Sequence, residues 1–240
     1  MKIPKLIHYC WFGGSPLPEE YKRYIETWKT ICPDYKIIRW DESNFDVNIC
    51  QYTKMAYEQK KYAFVSDYAR FFIMYNYGGI YLDTDVELIK NLDDLLDMSF
   101  MGFEDGKNVA SGLIVGGIPN ETLFKEIVDF YNDFRDFNTR ITVVNIVTDL
   151  LLKYNLVQND SMQIIKNVKI YPTDYFNPLG PNFNDLKITN NTFSIHHYNA
   201  SWKSKEEKKL HDFRIKYGRK KGKLFFILCH PFLALRVFFR

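Results

Sequence analysis

The sequence has little sulfur chemistry. Its four cysteines, Cys10, Cys32, Cys50 and Cys229, form no CxxC pair and follow no metal-ligand spacing. That excludes a disulfide framework and a zinc ribbon, and it reads as reduced thiols in a cytosolic protein. Histidine is scarce, with five residues in 240, fewer than a His- and Asp-rich metal phosphoesterase wants. No long apolar region or cleavage site follows Met1-Lys2-Ile3-Pro4, so secretion is not expected. Internal repeats and low-complexity linkers are also missing.

What is present fits a globular chain. At 240 residues, 46% hydrophobic and 25% charged, it is long enough for one large domain, or one domain with a tail, around a sizeable core. Aromatics reach 17%, with 17 Tyr and 20 Phe, which suits either ring-stacking surfaces or a Phe-rich core. Charge is uneven. Residues 203–240 hold 12 Lys and Arg against 3 Asp and Glu, a balance of +9, while the rest of the chain balances at −6. A basic end on an acidic body points to an anionic partner, membrane or nucleic acid.

Periodicity predicts alternating strands and helices. Residues 5–11 read as a buried strand, 18–31 as a helix opened by Pro18, Glu19 and Glu20, and 35–40 as a second strand. A helix is expected over 62–77, closed by Gly78-Gly79, followed by a short buried strand at 80–82. Further strands are expected at 100–103, 113–115, 164–171 and 193–198. Helices are expected at 119–137, 141–152 and 204–217. The pattern predicts an α/β fold with a mainly parallel sheet. In such sheets ligands bind beyond the carboxyl ends of strands, where Asp83-Thr84-Asp85 falls.

Two carboxylates in a D-x-D turn can hold a Mg²⁺ or Mn²⁺ ion against a diphosphate leaving group, the ion acting as Lewis acid. Asp85 is the expected direct ligand, and Asp83 binds ribose hydroxyls or a metal-bound water. Alone the motif is weak, because acidic turns are common. Its surroundings strengthen it. Asp67 and Arg70 share one face of an otherwise apolar helix. They form either a structural ion pair or a grip on donor sugar hydroxyls.

Several ordered motifs resemble the DXD-containing glycosyltransferases of family 32, which include fungal mannosyltransferases and bacterial capsule and surface-polysaccharide transferases. Clostridial toxin glucosyltransferases share the layout more distantly. The motifs are Ile3 to His8, Trp11-Phe12-Gly13-Gly14, Trp40-Asp41, Ala63 to Arg70, Gly78 to Asp85, His196-His197 and Ser201-Trp202. Together they span roughly residues 3–202. The resemblance implies a GT-A-type, Rossmann-like fold for residues 1–202: a mixed, mainly parallel sheet flanked by helices. It implies that Trp11 stacks on the nucleotide base, and that Asp67 and Arg70 bind donor sugar and ribose. Asp83 would contact ribose or sugar, and Asp85 the metal, with Asp83, Asp85 and Arg70 as the catalytic set. His197, or His196, would lie near the metal or the leaving diphosphate. Ser201 and Trp202 would offer a hydroxyl and an indole N–H to the leaving phosphate. Retention at the anomeric carbon is implied, and no residue stands out as a covalent nucleophile.

The chain also departs from the family. Ala110-Ser111-Gly112 replaces a common Asn-Gly, and residues 140–144 lack a Gly-Pro pair, so acceptor choice does not carry over. Glu104 and Asp105 follow a strand and could line the acceptor cleft. The implied partners are a nucleotide-sugar donor, UDP-hexose ahead of GDP-mannose, and a glycan or lipid-linked acceptor.

Residues 203–240 form a second region. A basic run precedes an apolar stretch at 224–239, interrupted by His230-Pro231. The stretch is too short and broken to span a bilayer. An in-plane anchor on the inner, cytoplasmic face of the cell membrane is expected, against a helix packed back on the body, with nucleic acid disfavoured. Two alternative functions remain: a non-catalytic membrane-associated carbohydrate-binding protein, and another divalent-metal phosphoesterase.

Overall fold

The structure, a computed structural model, describes residues 2–134, 141–179, 186–198 and 205–238. It opens with β1 (Leu6–Cys10), α1 (Glu19–Ile31) and β2 (Lys36–Trp40). β1 and β2 pair in parallel from Leu6 opposite Lys36 to Cys10 opposite Trp40. Tyr21, Ile25 and Trp28 recur at helical spacing and form the buried face of α1. Next come α2 (Gln51–Glu58), α3 (Tyr62–Tyr77) and β3 (Gly79–Tyr81). Then follow β4 (Val86–Leu88), a helical turn at Asp93–Leu95, β5 (Phe100–Gly102), β6 (Val115–Gly117), α4 (Thr122–Asn132) and α5 (Val143–Lys153). The chain continues through β7 (Gln163–Ile165), β8 (Val168–Tyr171), α6 (Thr173–Phe176), β9 (Ser194–His196), α7 (Lys205–Tyr217), α8 (Arg219–Cys229) and α9 (Pro231–Phe238).

The main sheet has the order β2-β1-β3-β6-β5-β8-β7. The pairings β1–β2, β1–β3 and β5–β8 are parallel, and the contacts of β6 and β7 are antiparallel. Five strands therefore run one way and β6 and β7 run back, the mixed, mainly parallel sheet expected. Side chains alternate between its faces. Ile80 and Phe100 join Ile7, Trp28 and Leu82 on the α1 side. Tyr81 and Met101 join Phe71, Met74 and Phe124 on the side of α3 and α4. β4 and β9 form a separate antiparallel pair, Val86 opposite His196 and Leu88 opposite Ser194.

The turn between α3 and β3 depends on two left-handed glycines. Gly78 has φ 63° and Gly79 φ 99°. A Cβ on Gly79 would lie 2.9 Å from the His8 ring and from Leu6, so only glycine fits. His8 locks the turn. Trp40 Nε1–H donates to His8 Nδ1 at 3.0 Å, which leaves Nε2–H to donate to the Gly78 carbonyl at 2.9 Å. Burial holds this imidazole neutral, its pKa lowered to about 4 against a smaller opposing pull from the Gly78 carbonyl.

Two expectations are corrected. Residues 164–171 are not one strand but the hairpin β7–β8, turned at Lys166 and Asn167 with φ 46° and 64°. The strand expected at 113–115 lies at Val115–Gly117, where a Cβ on Gly116 would meet the Phe100 ring at 2.0 Å. The apolar stretch is interrupted where the sequence indicates, at His230, between α8 and α9. With α7 they bury Leu210, Phe226 and Ala234 together. Among the described residues no helix is long and apolar enough to cross a membrane.

Candidate functional site

β3 ends at Tyr81, and the chain turns directly into the aspartate pair. Leu82 N–H reaches the His8 carbonyl at 3.0 Å, and Val86 N–H closes the turn on the Asp83 carbonyl at 3.1 Å. The turn is thus tied to β1 at the carboxyl edge of the sheet. Pairing β4 with β9 then brings His196 beside it. His196 Nε2 lies 3.1 Å from Asp85 Oδ1. Ligand atoms of Asp83, Asp85 and His196 all fall within 4.8 Å of one another.

Arg70 is 4% exposed and points inward from α3. Its NH2 lies 2.9 Å from Asp67 Oδ1 and 3.3 Å from Asp83 Oδ1. Its Nε donates to the Ser66 carbonyl at 3.2 Å, and its guanidinium sits 4.8 Å from the Tyr81 ring centre. Tyr81 donates its hydroxyl to the same Asp83 oxygen at 3.0 Å. Asp83 is therefore fixed from two sides. Gly112 completes the fit, because a Cβ there would lie 2.5 Å from Asp83 Oδ2 and 3.3 Å from Arg70 NH1. Ser111 Oγ accepts from Arg70 NH1 at 3.4 Å. So the Ser111-Gly112 segment, where the sequence departs from the family pattern, packs directly against Asp83 and Arg70.

The charges are unequal to their shelter. One buried guanidinium stands between two half-buried carboxylates. Burial pushes Asp67 up to about 7, against the pull of Arg70 and with Asp83 adding to the rise. Burial also raises Asp83, with Arg70 opposing and Asp85 reinforcing. For His196 burial opposes protonation, but the Asp85 and Asp83 carboxylates outweigh it and the pKa is raised. A pocket that favours a proton between Asp85 and His196 has excess negative potential, which a cation relieves.

The donor set fits a divalent ion. Two carboxylates and an imidazole suit Mn²⁺ better than Mg²⁺, which prefers oxygen ligands and water. His196 also keeps a buried Nδ1 with no hydrogen-bond partner among the described residues.

Tyr198 supports His196 from behind, and sequence reasoning missed it. Its ring packs edge-on at 4.2 Å, and it sits at φ 52°. Asn177 Nδ2 donates to its hydroxyl at 2.6 Å and to the Glu104 carbonyl at 2.6 Å. The Glu104 side chain also hydrogen-bonds that hydroxyl. The only hint was the carboxylate after β5. Asp105, by contrast, accepts from the backbone of Lys107 and Asn108 and closes its own turn.

The remaining predicted residues fall as follows. His197 turns away from the aspartates, with Nε2 2.8 Å from Glu87 and its ring stacked on Tyr24 at 4.5 Å. Trp11 follows β1 at the same sheet edge as Asp83. Its indole N–H donates to the Ser15 carbonyl at 2.8 Å and its ring meets Tyr21 edge-on. The close approach at Gly13 is to the Tyr62 ring, 2.2 Å from a Cβ placed there. Ser201 and Trp202 lie outside the described residues.

Comparison with known proteins agrees with this geometry. Residues 18–101 match the family described as "Glycosyltransferase sugar-binding region containing DXD motif", a span that holds Asp67, Arg70, Asp83 and Asp85. An uncharacterized glycosyltransferase of Acanthamoeba polyphaga mimivirus is 29% identical over 73% of each chain. An inositol phosphoceramide mannosyltransferase of Schizosaccharomyces pombe is 36% identical over 39% of this chain and 27% of its own. A mannosyl phosphorylinositol ceramide synthase of Saccharomyces cerevisiae is 23% identical over 83% of this chain. The chain spans only about half of that protein's length, 53%. Among solved structures, a glycosyltransferase involved in the glycosylation of the major capsid of PBCV-1 shares the fold. It has TM-score 0.51 and 10% identity over 87% of this chain and 98% of that one. Over residues 18–101 the chain is thus similar to the DXD-containing sugar-binding region of glycosyltransferases, and its fold is shared with a glycosyltransferase of known structure.

Proposed function

We propose that the protein transfers a hexose from a nucleotide-sugar donor to a glycan or lipid-linked acceptor, in a divalent-metal-dependent reaction, during surface or capsular polysaccharide synthesis. The carrying observation is the convergence of Asp83, Asp85 and His196 at the end of β3, inside or adjoining the matched sugar-binding region. Asp85 and His196 are the direct metal ligands, and Asp83 completes the set or meets the donor ribose. Bound there, Mn²⁺ or Mg²⁺ would neutralise the charge of the departing diphosphate. Arg70 acts through Asp83 and is a positioning residue rather than a donor contact. Trp11, at the same sheet edge, offers its ring to the base, and Ser201 and Trp202 are assigned to the leaving phosphate.

The named fungal relatives act on mannose, which lifts GDP-mannose beside UDP-hexoses as donor. Retention at the anomeric carbon is the expected outcome, by front-face attack of an acceptor hydroxyl. The proposed place of action is the cytoplasmic face of the cell membrane.

The test is donor hydrolysis and transfer across UDP-hexoses and GDP-mannose, with Mn²⁺ or with chelator, for wild type and Asp85→Asn. Asp85→Asn keeps the side-chain size and loses the charge. We expect turnover to fall by at least about 100-fold, comparable to losing a metal or oxyanion stabiliser. Undiminished turnover in a folded Asp85→Asn protein, or no response to chelator, sinks the reading.

A further inference from the structure

The three C-terminal helices bury one side of α8 and leave the other bare. Phe226 is fully buried with Leu210 of α7 and Ala234 of α9. Gly222 lets α8 lie tight on α7: a Cβ there would meet the Phe213 carbonyl at 2.3 Å. At 100° per residue, Lys220, Lys221, Leu224, Phe225 and Leu228 occupy the half of the helix opposite Phe226. Leu224 is 58% and Leu228 67% exposed, and Phe232, at the start of α9, is 82% exposed. Neither α8 nor α9 contains an acidic residue.

We propose that this outward face docks in the plane of an anionic lipid surface. Lys220 and Lys221 meet the headgroups. Leu224, Phe225, Leu228 and Phe232 enter the boundary with the acyl chains. Three observations select this occupant. The lysines precede the apolar residues by one turn on the same side of α8, the arrangement of an interfacial helix. An 11-residue helix reaches about 16 Å at 1.5 Å per residue, half of a bilayer core. A second copy of this tail would set the +9 balance of residues 203–240 against itself, and a nucleic acid gives four bare Leu and Phe side chains no apolar partner. The proposal does not depend on the donor chemistry.

The experiment is flotation of the full chain with vesicles of phosphatidylcholine alone and of phosphatidylcholine with phosphatidylglycerol. Two exposed-site variants accompany it: Lys220→Glu with Lys221→Glu, and Leu224→Ser with Leu228→Ser and Phe232→Ser. Circular dichroism checks that both fold, and donor hydrolysis is read on the same preparations. We expect wild type to float with anionic vesicles only. The lysine variant should lose partitioning by about 25-fold, about fivefold per lysine. The Leu/Phe variant should also fall, with donor hydrolysis unchanged in both. Three results overturn the proposal: equal flotation with neutral vesicles, flotation unaffected by either variant, or lipid-free dimers that the Leu/Phe variant dissolves. Loss of donor hydrolysis in wild type would count against the transferase reading alone.

Discussion

Replacing Arg70 with leucine tests the electrostatic design of the site. The wild-type guanidinium is buried and serves Asp67 at 2.9 Å and Asp83 at 3.3 Å at once. Leucine fills much of the apolar stem's space but leaves both carboxylates without a counter-charge. Breaking a buried pair by removing one partner costs about 3–5 kcal/mol. The cost should depend on pH. Asp67 is already pushed up to about 7 by burial, and without Arg70 its carboxyl and that of Asp83 rise further. Protonation then relieves the penalty as pH falls. Urea unfolding followed by tryptophan fluorescence should show the full loss at about pH 8 and a smaller one at about pH 5. Arg70→Lys should fall between, because one ammonium cannot reproduce the fork that reaches two carboxylates. A loss below about 1 kcal/mol at both pH values, as for an exposed pair, would refute Arg70 as the shared counter-ion.

Other consequences are equally direct. Gly112→Ala forces a methyl to 2.5 Å from Asp83, so it should cost about 1–3 kcal/mol and weaken Mn²⁺ binding by calorimetry; unchanged affinity would detach Gly112 from the site. Tyr198→Phe removes the hydroxyl held by Asn177 and Glu104 and should weaken Mn²⁺ binding roughly 10-fold with little change in thermal stability, whereas a purely structural tyrosine would show the reverse. His8 has its folded pKa lowered from 6.5 to about 4, so its contribution is intact above pH 6.5 and is lost as pH falls from there toward 4, by about 3 kcal/mol. Its imidazole NMR resonances should stay flat down to about pH 5, and an ordinary midpoint near 6.5 would contradict the tautomer assigned to it.

The sequence was most legible where local rules and tertiary structure agree. The helix at Tyr62–Tyr77 has the expected bounds because its apolar period stops at a glycine that no other residue can replace. The aspartate pair follows a strand for the same reason: Gly78-Gly79 turns the chain back beside β1. Reading failed where pairing over distance decides. β4, with three residues, has no signal of its own and exists because β9 lies alongside it. That register also chooses His196 over its neighbour His197, since adjacent strand residues face opposite ways. The strand expected at 113–115 is displaced to Val115–Gly117, where the Phe100 ring occupies the space that a side chain on Gly116 would need. The sequence paired Arg70 with Asp67, but its second contact, with Asp83, is visible only in the tertiary structure. For Tyr198 the sequence offered no more than the carboxylate after β5, because its place beside His196 depends on Asn177 and Glu104 arriving from separate segments.

The β4–β9 pair has a consequence in time. It joins segments 110 residues apart in the chain. At ordinary elongation rates the ribosome needs roughly 5–20 s to cover that distance. During that interval the nascent polypeptide already carries Asp83 and Asp85, but the imidazole that completes their set has not been made. The unfinished chain therefore carries two of the three candidate ligands and gains the third only once the polypeptide is long enough to close the β4–β9 pair.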